Sequence, residues 1–189
     1  PAGNIPLSEK IKQIELSVAA GAKEIDIVLS RNLIIQSDWK SLYDEVVACR
    51  KACGEAHMKT ILATGEISTY TKVSKASWVC MMAGADFIKT STGKEPVNAT
   101  LPVSLVMIRA IREYHELTGF KVGFKPAGGI SNAKLAINWL ILMKEELGNE
   151  WLQPNLFRFG ASSLLGDIER QLEHFVTGRY SASFRHPMA

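Results

Sequence analysis

A nine-residue stretch in the middle of the chain, Asp-Phe-Ile-Lys-Thr-Ser-Thr-Gly-Lys at positions 86–94, decides the fold. It opens with a short β-forming run, which follows a helical segment ending at Gly84, and it closes with a loop of small hydroxylated residues. The same order of helix, glycine and short β-rich run recurs along the chain. This regular alternation predicts a parallel α/β sheet.

Five strands are predicted, at residues 24–29, 58–62, 86–92, 121–125 and 156–159. The interval from Asp26 to Lys59 is 33 residues, and the intervals onward to Lys89, Lys125 and Gly160 are 30, 36 and 35 residues. A (β/α)₈ barrel has about 31 residues per unit. The competing doubly wound sheet usually carries a Gly-x-Gly-x-x-Gly turn after its first strand, and none is present. The spacing therefore favours five units of a TIM barrel, followed by a C-terminal tail at residues 177–189.

The helices between these strands have recognisable starts, because small polar residues precede their apolar stripes. The predicted caps are Ser8, Asp38, either Ser131 or Asn132, and either Ser162 or Ser163.

Composition narrows the function classes. The 189 residues include 22 Lys+Arg and 19 Asp+Glu, so the net charge of 22 − 19 = +3 is too small and scattered to predict a nucleic-acid partner. No apolar run approaches the ~20 residues that span a bilayer. The cysteines Cys49, Cys53 and Cys80 have no disulfide-like or metal-binding spacing. We therefore expect no metal, no membrane partner and a reducing, cytoplasmic location.

Charged residues interrupt the predicted strands, and they carry the functional argument. A strand buried on both faces should be almost entirely apolar, yet Asp26, Lys59, Lys89 and Lys125 lie within strands. A buried unpaired charge costs several kcal/mol, so each needs a partner or a role. Lys89 and Lys125 lie near the carboxyl ends of their strands, which is where barrels place active sites.

Two lysines that point into one cleft predict amine chemistry. Like charge and desolvation lower a lysine pKa and leave a neutral, nucleophilic amine that can attack a carbonyl. Asp26 could offset the remaining charge and move protons. The alternative is structural, with Asp26 pairing one lysine and filling the barrel.

Three loops have the composition of anion-binding sites. Residues 91–94 offer hydroxyls and a cation, residues 126–130 contain two adjacent glycines, and residues 160–164 lead into a helix N-terminus. The last two follow the final two predicted strands, where barrels commonly hold phosphate. Each loop could be an ordinary turn, but together they favour a phosphorylated substrate.

These motifs resemble those of the deoxyribose-phosphate aldolase family. The resemblance rests on residues 86–94 with the following Val-Asn-Ala-Thr at 97–100, and on residues 24–28, 64–66, 123–129 and 158–163, which occur in family order. It extends over residues 1–176 and is greatest to the animal branch. It implies a metal-free class I aldolase on a TIM barrel that interconverts 2-deoxy-D-ribose 5-phosphate with D-glyceraldehyde 3-phosphate and acetaldehyde.

The resemblance also implies roles for individual residues. Lys89 matches the Schiff-base lysine, Lys125 the second lysine that tunes it and relays protons, and Asp26 the carboxylate that donates and accepts protons. The positions that match the family's phosphate-binding residues are Gly93, Lys94, Gly128, Gly129, Ser162 and Ser163. The implied partners are a sugar phosphate and other copies of the chain, in a homo-oligomer.

One departure concerns the number of strands. The family barrel has three strands before the one that carries the matching aspartate, whereas Asp26 lies in the first predicted strand here. We therefore expect a C-terminal portion of an aldolase, with three further strand–helix units upstream of Pro1. Two alternatives stay open: a phosphate-binding barrel without Schiff-base chemistry, and a catalytically incomplete fragment that acts as an interaction module.

Overall fold

Strands and helices alternate along the chain in the computed structural model, which describes residues 3–185. The strands within that range are β1 (Glu24–Val28), β2 (His57–Ile61), β3 (Phe87–Lys89) and β4 (Gly123–Lys125). The helices are α1 (Leu7–Ala19), α2 (Arg31–Gln36), α3 (Trp39–Cys53), α4 (Tyr70–Met82), α5 (Leu101–Thr118), α6 (Ala133–Leu147) and α7 (Leu164–Thr177). Short 3₁₀ turns cover Thr64–Glu66, Asn149–Trp151 and Ser183–Arg185. Residues 186–189, the end of the predicted tail, lie outside the described residues.

The four strands form one parallel sheet in the order β1-β2-β3-β4. Each strand pairs with the next strand in the chain, so the order does not reverse as it does in a doubly wound sheet. Successive helical crossovers in one direction are typical of a (β/α)₈ barrel, and the sheet is an arc of such a barrel. The predicted fold class is confirmed.

The fifth predicted strand, residues 156–159, is not continuous. Phe124 donates to the carbonyl of Leu156 at 2.9 Å and accepts from the amide of Arg158 at 3.2 Å, which gives one parallel bridge. The next donor in this register would be residue 126, which is a proline without an N–H. A second bridge, from Ala127 to Gly160, restores the pairing beyond it. The segment occupies the fifth position of the arc as two isolated bridges.

The helix caps follow the predictions at two positions and differ at others. The Asp38 carboxylate accepts from the amide of Ser41 at 3.1 Å, and Asn132, not Ser131, caps α6. Ser8 is not a cap, because α1 already begins at Leu7, after Pro6. The residue before α7 is Ser163, whose hydroxyl donates to a backbone carbonyl at position 131 instead of capping the helix.

The core lies between the sheet and the helices. One side of α3 is buried there through Leu42, Val46, Cys49 and Cys53, each with no exposed surface. Burial raises the pKa values of Cys49 and Cys80 to about 12, so these thiols pack as small apolar groups. None of the helices within residues 3–185 is long and apolar enough to cross a bilayer.

Candidate active site

One carboxylate joins two lysines at the carboxyl edge of the sheet. Lys89 and Lys125 are register partners at the ends of β3 and β4. Asp26 reaches both from β1, and its Oδ2 atom accepts hydrogen bonds from the ammonium groups of Lys89 at 2.8 Å and Lys125 at 2.6 Å. The structure therefore brings together all three residues that the sequence singled out for catalysis.

The electrostatics of this cluster separate the carboxylate from the amines. Burial alone would raise the pKa of Asp26, but the hydrogen bonds from Lys125 and Lys89 outweigh it and lower that pKa to about 2. The pKa of the Lys125 amine is lowered for a different reason, because desolvation by burial disfavours its charged form. The positive charges of Lys89 and Lys59 lower it further. Asp26 is thus an anion at neutral pH that can accept protons, and Lys125 gives up a proton more readily than an exposed lysine.

A third lysine lies on the other side of the same carboxylate. Lys59 on β2 is 1% exposed, and its Nζ atom is 3.4 Å from Oδ1 of Asp26. It also donates to Oε2 of Glu24 at 2.8 Å, and Glu24 pairs with Arg158 at 3.1 Å. The hydrogen bond from Lys59 is the main reason that the pKa of Glu24 is lowered. The sequence marked Lys59 as a charge within a strand, but the parts played by Glu24 and Arg158 emerge only from the structure.

A cavity of about 350 Å³ lies beyond the strand ends. All six residues predicted to bind phosphate line it, together with Thr92, Ile130, Ser131, Gly160 and Ala161. Its three walls are the loops that follow β3, β4 and the fifth segment. Because Lys89 ends β3 and Lys125 ends β4, two of these loops begin directly at the amine cluster.

The cavity wall is shaped by fixed contacts within the loops. The Glu95 carboxylate accepts from both the amide and the hydroxyl of Thr92 at 3.0 Å, which closes the loop after β3. Gly128 has a φ of +80°, and a Cβ there would lie 2.6 Å from Cγ of Asn98, so only glycine fits this close approach. Backbone amides and small side chains in such loops can surround an anion.

Residues 64–66, which the family resemblance includes, form a 3₁₀ turn after β2. Glu66 pairs with Arg31 of α2, a helix that the sequence did not predict. A Cβ at Gly65 would lie 2.0 Å from the carbonyl oxygen of Val97, so this turn packs tightly against the loop that follows β3. The turn therefore supports the cavity loop from outside.

No group of three or more His, Cys, Asp or Glu side chains within residues 3–185 could hold a metal ion. The chemistry available at the strand ends is that of two amines, one carboxylate and an adjacent cavity lined by glycine and serine loops. These groups can form a carbinolamine with an aldehyde, move protons and hold a phosphate.

A parallel arc of strands and helices, with two lysines at its strand ends and a cavity between the loops that follow, defines the class of protein as an α/β barrel with its site at the carboxyl edge of the sheet. The family model described as "DeoC/LacD family aldolase" matches residues 2–164. The chain belongs to this family, and the predicted family resemblance is confirmed.

Two relatives of this chain have names that agree with the family assignment. The chain is 62% identical to the deoxyribose-phosphate aldolase of Mus musculus and 61% identical to that of Homo sapiens, in each case over all 189 residues. It spans 59% of the length of these curated relatives.

Solved structures show the same fold. QR15, an aldolase, is 27% identical, with a TM-score of 0.73 over 93% of this chain and 71% of that one. The deoxyribose phosphate aldolase of Aeropyrum pernix, described as tetrameric, gives a TM-score of 0.70 at 22% identity, over 95% of this chain and 66% of that one.

Proposed function

We propose that the chain carries the active site of a class I aldolase that cleaves 2-deoxy-D-ribose 5-phosphate reversibly to D-glyceraldehyde 3-phosphate and acetaldehyde. The observation that carries the proposal is the single Asp26 oxygen that accepts from both Lys89 and Lys125. Family membership and the names of the relatives supply the substrate. A structural ion pair needs only one lysine, whereas this chemistry needs a nucleophile and a proton carrier.

The first step uses Lys89 as the nucleophile. The ammonium groups of Lys89 and Lys125 share one oxygen of Asp26, and the lowered pKa of Lys125 allows its amine to take up the proton that Lys89 releases. The free amine of Lys89 adds to the C1 aldehyde of the open-chain sugar, and loss of water leaves an iminium ion. The phosphate lies in the neighbouring cavity, where Gly93, Lys94, Gly128, Gly129, Ser162 and Ser163 hold it.

The second step breaks the C2–C3 bond. A base removes the C3 hydroxyl proton, the bonding electrons move into the iminium group, and the products are D-glyceraldehyde 3-phosphate and an enamine on Lys89. Protonation of the enamine at C2 and addition of water release acetaldehyde and restore the amine. Asp26 takes the base role because it is ionised and lies within hydrogen-bonding distance of both lysines, and the lowered pKa of Lys125 suits the acid.

Several further properties belong to the same proposal. The reaction uses no metal or other cofactor, the protein acts in the cytoplasm, and neither nucleic acid nor membrane is a partner. Assembly as a homo-oligomer is supported by the tetrameric description of the Aeropyrum pernix relative. Residues 1–176 form the catalytic portion, and residues 177–189 form a tail.

Trapping with borohydride tests the function. Incubation with 2-deoxy-D-ribose 5-phosphate and sodium borohydride should give one covalent adduct, which peptide mass spectrometry places on Lys89. Lys89→Met should abolish the adduct, whereas Lys121→Met, which removes an exposed lysine paired with Glu150, should leave it unchanged. A folded chain without an adduct contradicts the proposal and supports a phosphate-binding or interaction module. An adduct on another lysine contradicts the role of Lys89.

A further inference from the structure

The most deeply buried charge described near the site is the ammonium group of Lys59. Its side chain is 1% exposed, in the middle of β2, where it lies 5.6 Å from the ring centroid of Phe87. A buried charge is tolerated only with close partners, and here the partners are Glu24 and Asp26. The proton transfers described above make no use of Lys59.

The two oxygens of Asp26 face different lysines. Oδ2 accepts from Lys89 and Lys125, while Oδ1 is 3.4 Å from the ammonium nitrogen of Lys59. A carboxylate with a cation on each side cannot rotate without losing one of them. Lys59 therefore restrains the direction in which Oδ2 points.

Lys59 is itself held in place by a second carboxylate, that of Glu24. Its stronger contact is the 2.8 Å hydrogen bond to Glu24, which begins β1, and Glu24 also pairs with Arg158 from the fifth segment. Charges of alternating sign thus run from Arg158 through Glu24 and Lys59 to Asp26. Arg158 and Glu24 are 134 positions apart, so this line of charges crosses the interior of the arc.

We propose that Lys59 is a positioning residue, which fixes the Asp26 carboxylate between the two lysines of the site and adds a positive charge beneath them. The positioning of a proton carrier rests on the proposed function. The effect of the charge on the neighbouring amines does not, because it follows from the arrangement of the groups alone.

The charge effect has a definite sign. The groups that face Lys125 are Asp26, Lys89 and Lys59, with Glu24 further away. Removing the Lys59 charge removes a repulsion from protonated Lys125, so its amine should keep its proton to a higher pH. Removing the Glu24 charge removes an attraction, so the amine should lose its proton at a lower pH.

Competitive labelling measures this without requiring turnover. The protein is treated with a trace of acetic anhydride between pH 6 and 11, and mass spectrometry reads the labelled fraction of the peptide that carries Lys125. We expect the midpoint to rise by about one pH unit in Lys59→Met, to return toward the original value in Lys59→Arg, and to fall in Glu24→Gln. Lys121→Met and Glu150→Gln make the same changes in an exposed pair and should not move it.

Each result decides the proposal. Opposite shifts in Lys59→Met and Glu24→Gln, with recovery in Lys59→Arg, support it. Equal midpoints, or shifts of the same sign in variants whose circular dichroism and melting match the parent chain, overturn it. In Lys59→Met the ion pair between Glu24 and Arg158 is kept. Glu24→Gln alters a side chain that is 39% exposed, so this variant can test the proposal if Lys59→Met does not fold.

Catalysis adds a second readout. Lys59→Met should lower kcat at least tenfold and leave KM within about twofold, because Lys59 does not line the phosphate cavity. If the parent chain forms no borohydride adduct, the proposed function fails while the labelling result still stands. If the parent chain is active and Lys59→Met keeps its full kcat, the positioning role fails alone.

Discussion

The ammonium nitrogen of Lys125 lies 2.6 Å from Oδ2 of Asp26, although the two residues are 99 positions apart in the chain. Asp26 comes from the first strand of the arc and Lys125 from the fourth, so their contact spans the concave side of the sheet. Any change that removes the carboxylate leaves Lys89 and Lys125 facing each other without an anion between them.

Proton transfer should depend on this carboxylate. In Asp26→Asn the amide cannot accept the C3 hydroxyl proton, so we expect kcat to fall by about 10²–10⁴. Lys89 is still present, so borohydride should still trap an adduct. Steady-state turnover and intact mass measure the two effects. The control is Asp44→Asn, because Asp44 is exposed and pairs with Lys40 along α3. Equal losses in both variants contradict the assignment.

Acid should weaken the fold through the same residue. The pKa of Asp26 is lowered from 3.8 to about 2, so the native state favours the anion. The resulting stabilisation is present above about pH 4 and is lost as the pH falls toward 2, and a shift of this size is worth on the order of 2 kcal/mol.

Urea unfolding at pH 5 and pH 2.5 checks this effect. The parent chain should lose more free energy of unfolding between the two values than Asp26→Asn does, because the amide does not titrate. Asp44→Asn should behave like the parent chain. If Asp26→Asn loses stability as steeply as the parent chain, protonation of Asp26 is not the cause of the acid effect.

The cavity should tolerate one glycine substitution better than another. Gly128 and Gly129 have φ values of +80° and +81°, so alanine is strained by about 1–2 kcal/mol at either position. Only at Gly128 would the added Cβ meet a side chain, that of Asn98; at Gly129 the space is open. We expect Gly128→Ala to weaken inorganic phosphate binding by more than about tenfold and Gly129→Ala by less, as calorimetry can show. Equal effects would mean that backbone strain alone matters.

A buried ion pair away from the site should matter for stability. Lys10 of α1 and Glu45 of α3 have side chains that are 7% and 6% exposed, and Lys10 also donates to the carbonyl of Val28 at 2.8 Å. Lys10→Met leaves a buried carboxylate unpaired, which should cost about 3–5 kcal/mol of unfolding free energy. Lys40→Met breaks an exposed pair, which solvent screens, and should cost much less. Urea titration of both variants measures the two losses of unfolding free energy. Equal losses would show that burial of the ion pair makes no difference to its effect on stability.

The part of the site that the sequence predicted is the part that strand geometry controls. Lys89 and Lys125 end two consecutive parallel strands, and such ends always share one edge of the sheet. The glycine and serine loops follow the same ends, so their gathering around one cavity could also be predicted.

The rest depends on contacts that leave no local signal. Nothing in the periodicity of β1 indicates that Glu24 holds Lys59 while Asp26 faces three lysines. The apolar run at residues 156–159 predicts a continuous fifth strand. The neighbouring segment of the sheet contains Pro126, which has no N–H to donate, so the hydrogen bonding between the two segments is interrupted there.

The sequence by itself determined the order of strands and helices, the barrel class and the candidate lysines, because apolar periodicity and turn residues act over a few positions. Only the tertiary structure decided that Asp26 shares one oxygen between Lys89 and Lys125 and that Lys59 faces the other. The physical reason is that charge pairing inside an arc depends on distances between strands. Those distances are set by packing and register across the sheet, and no single segment of the chain encodes them.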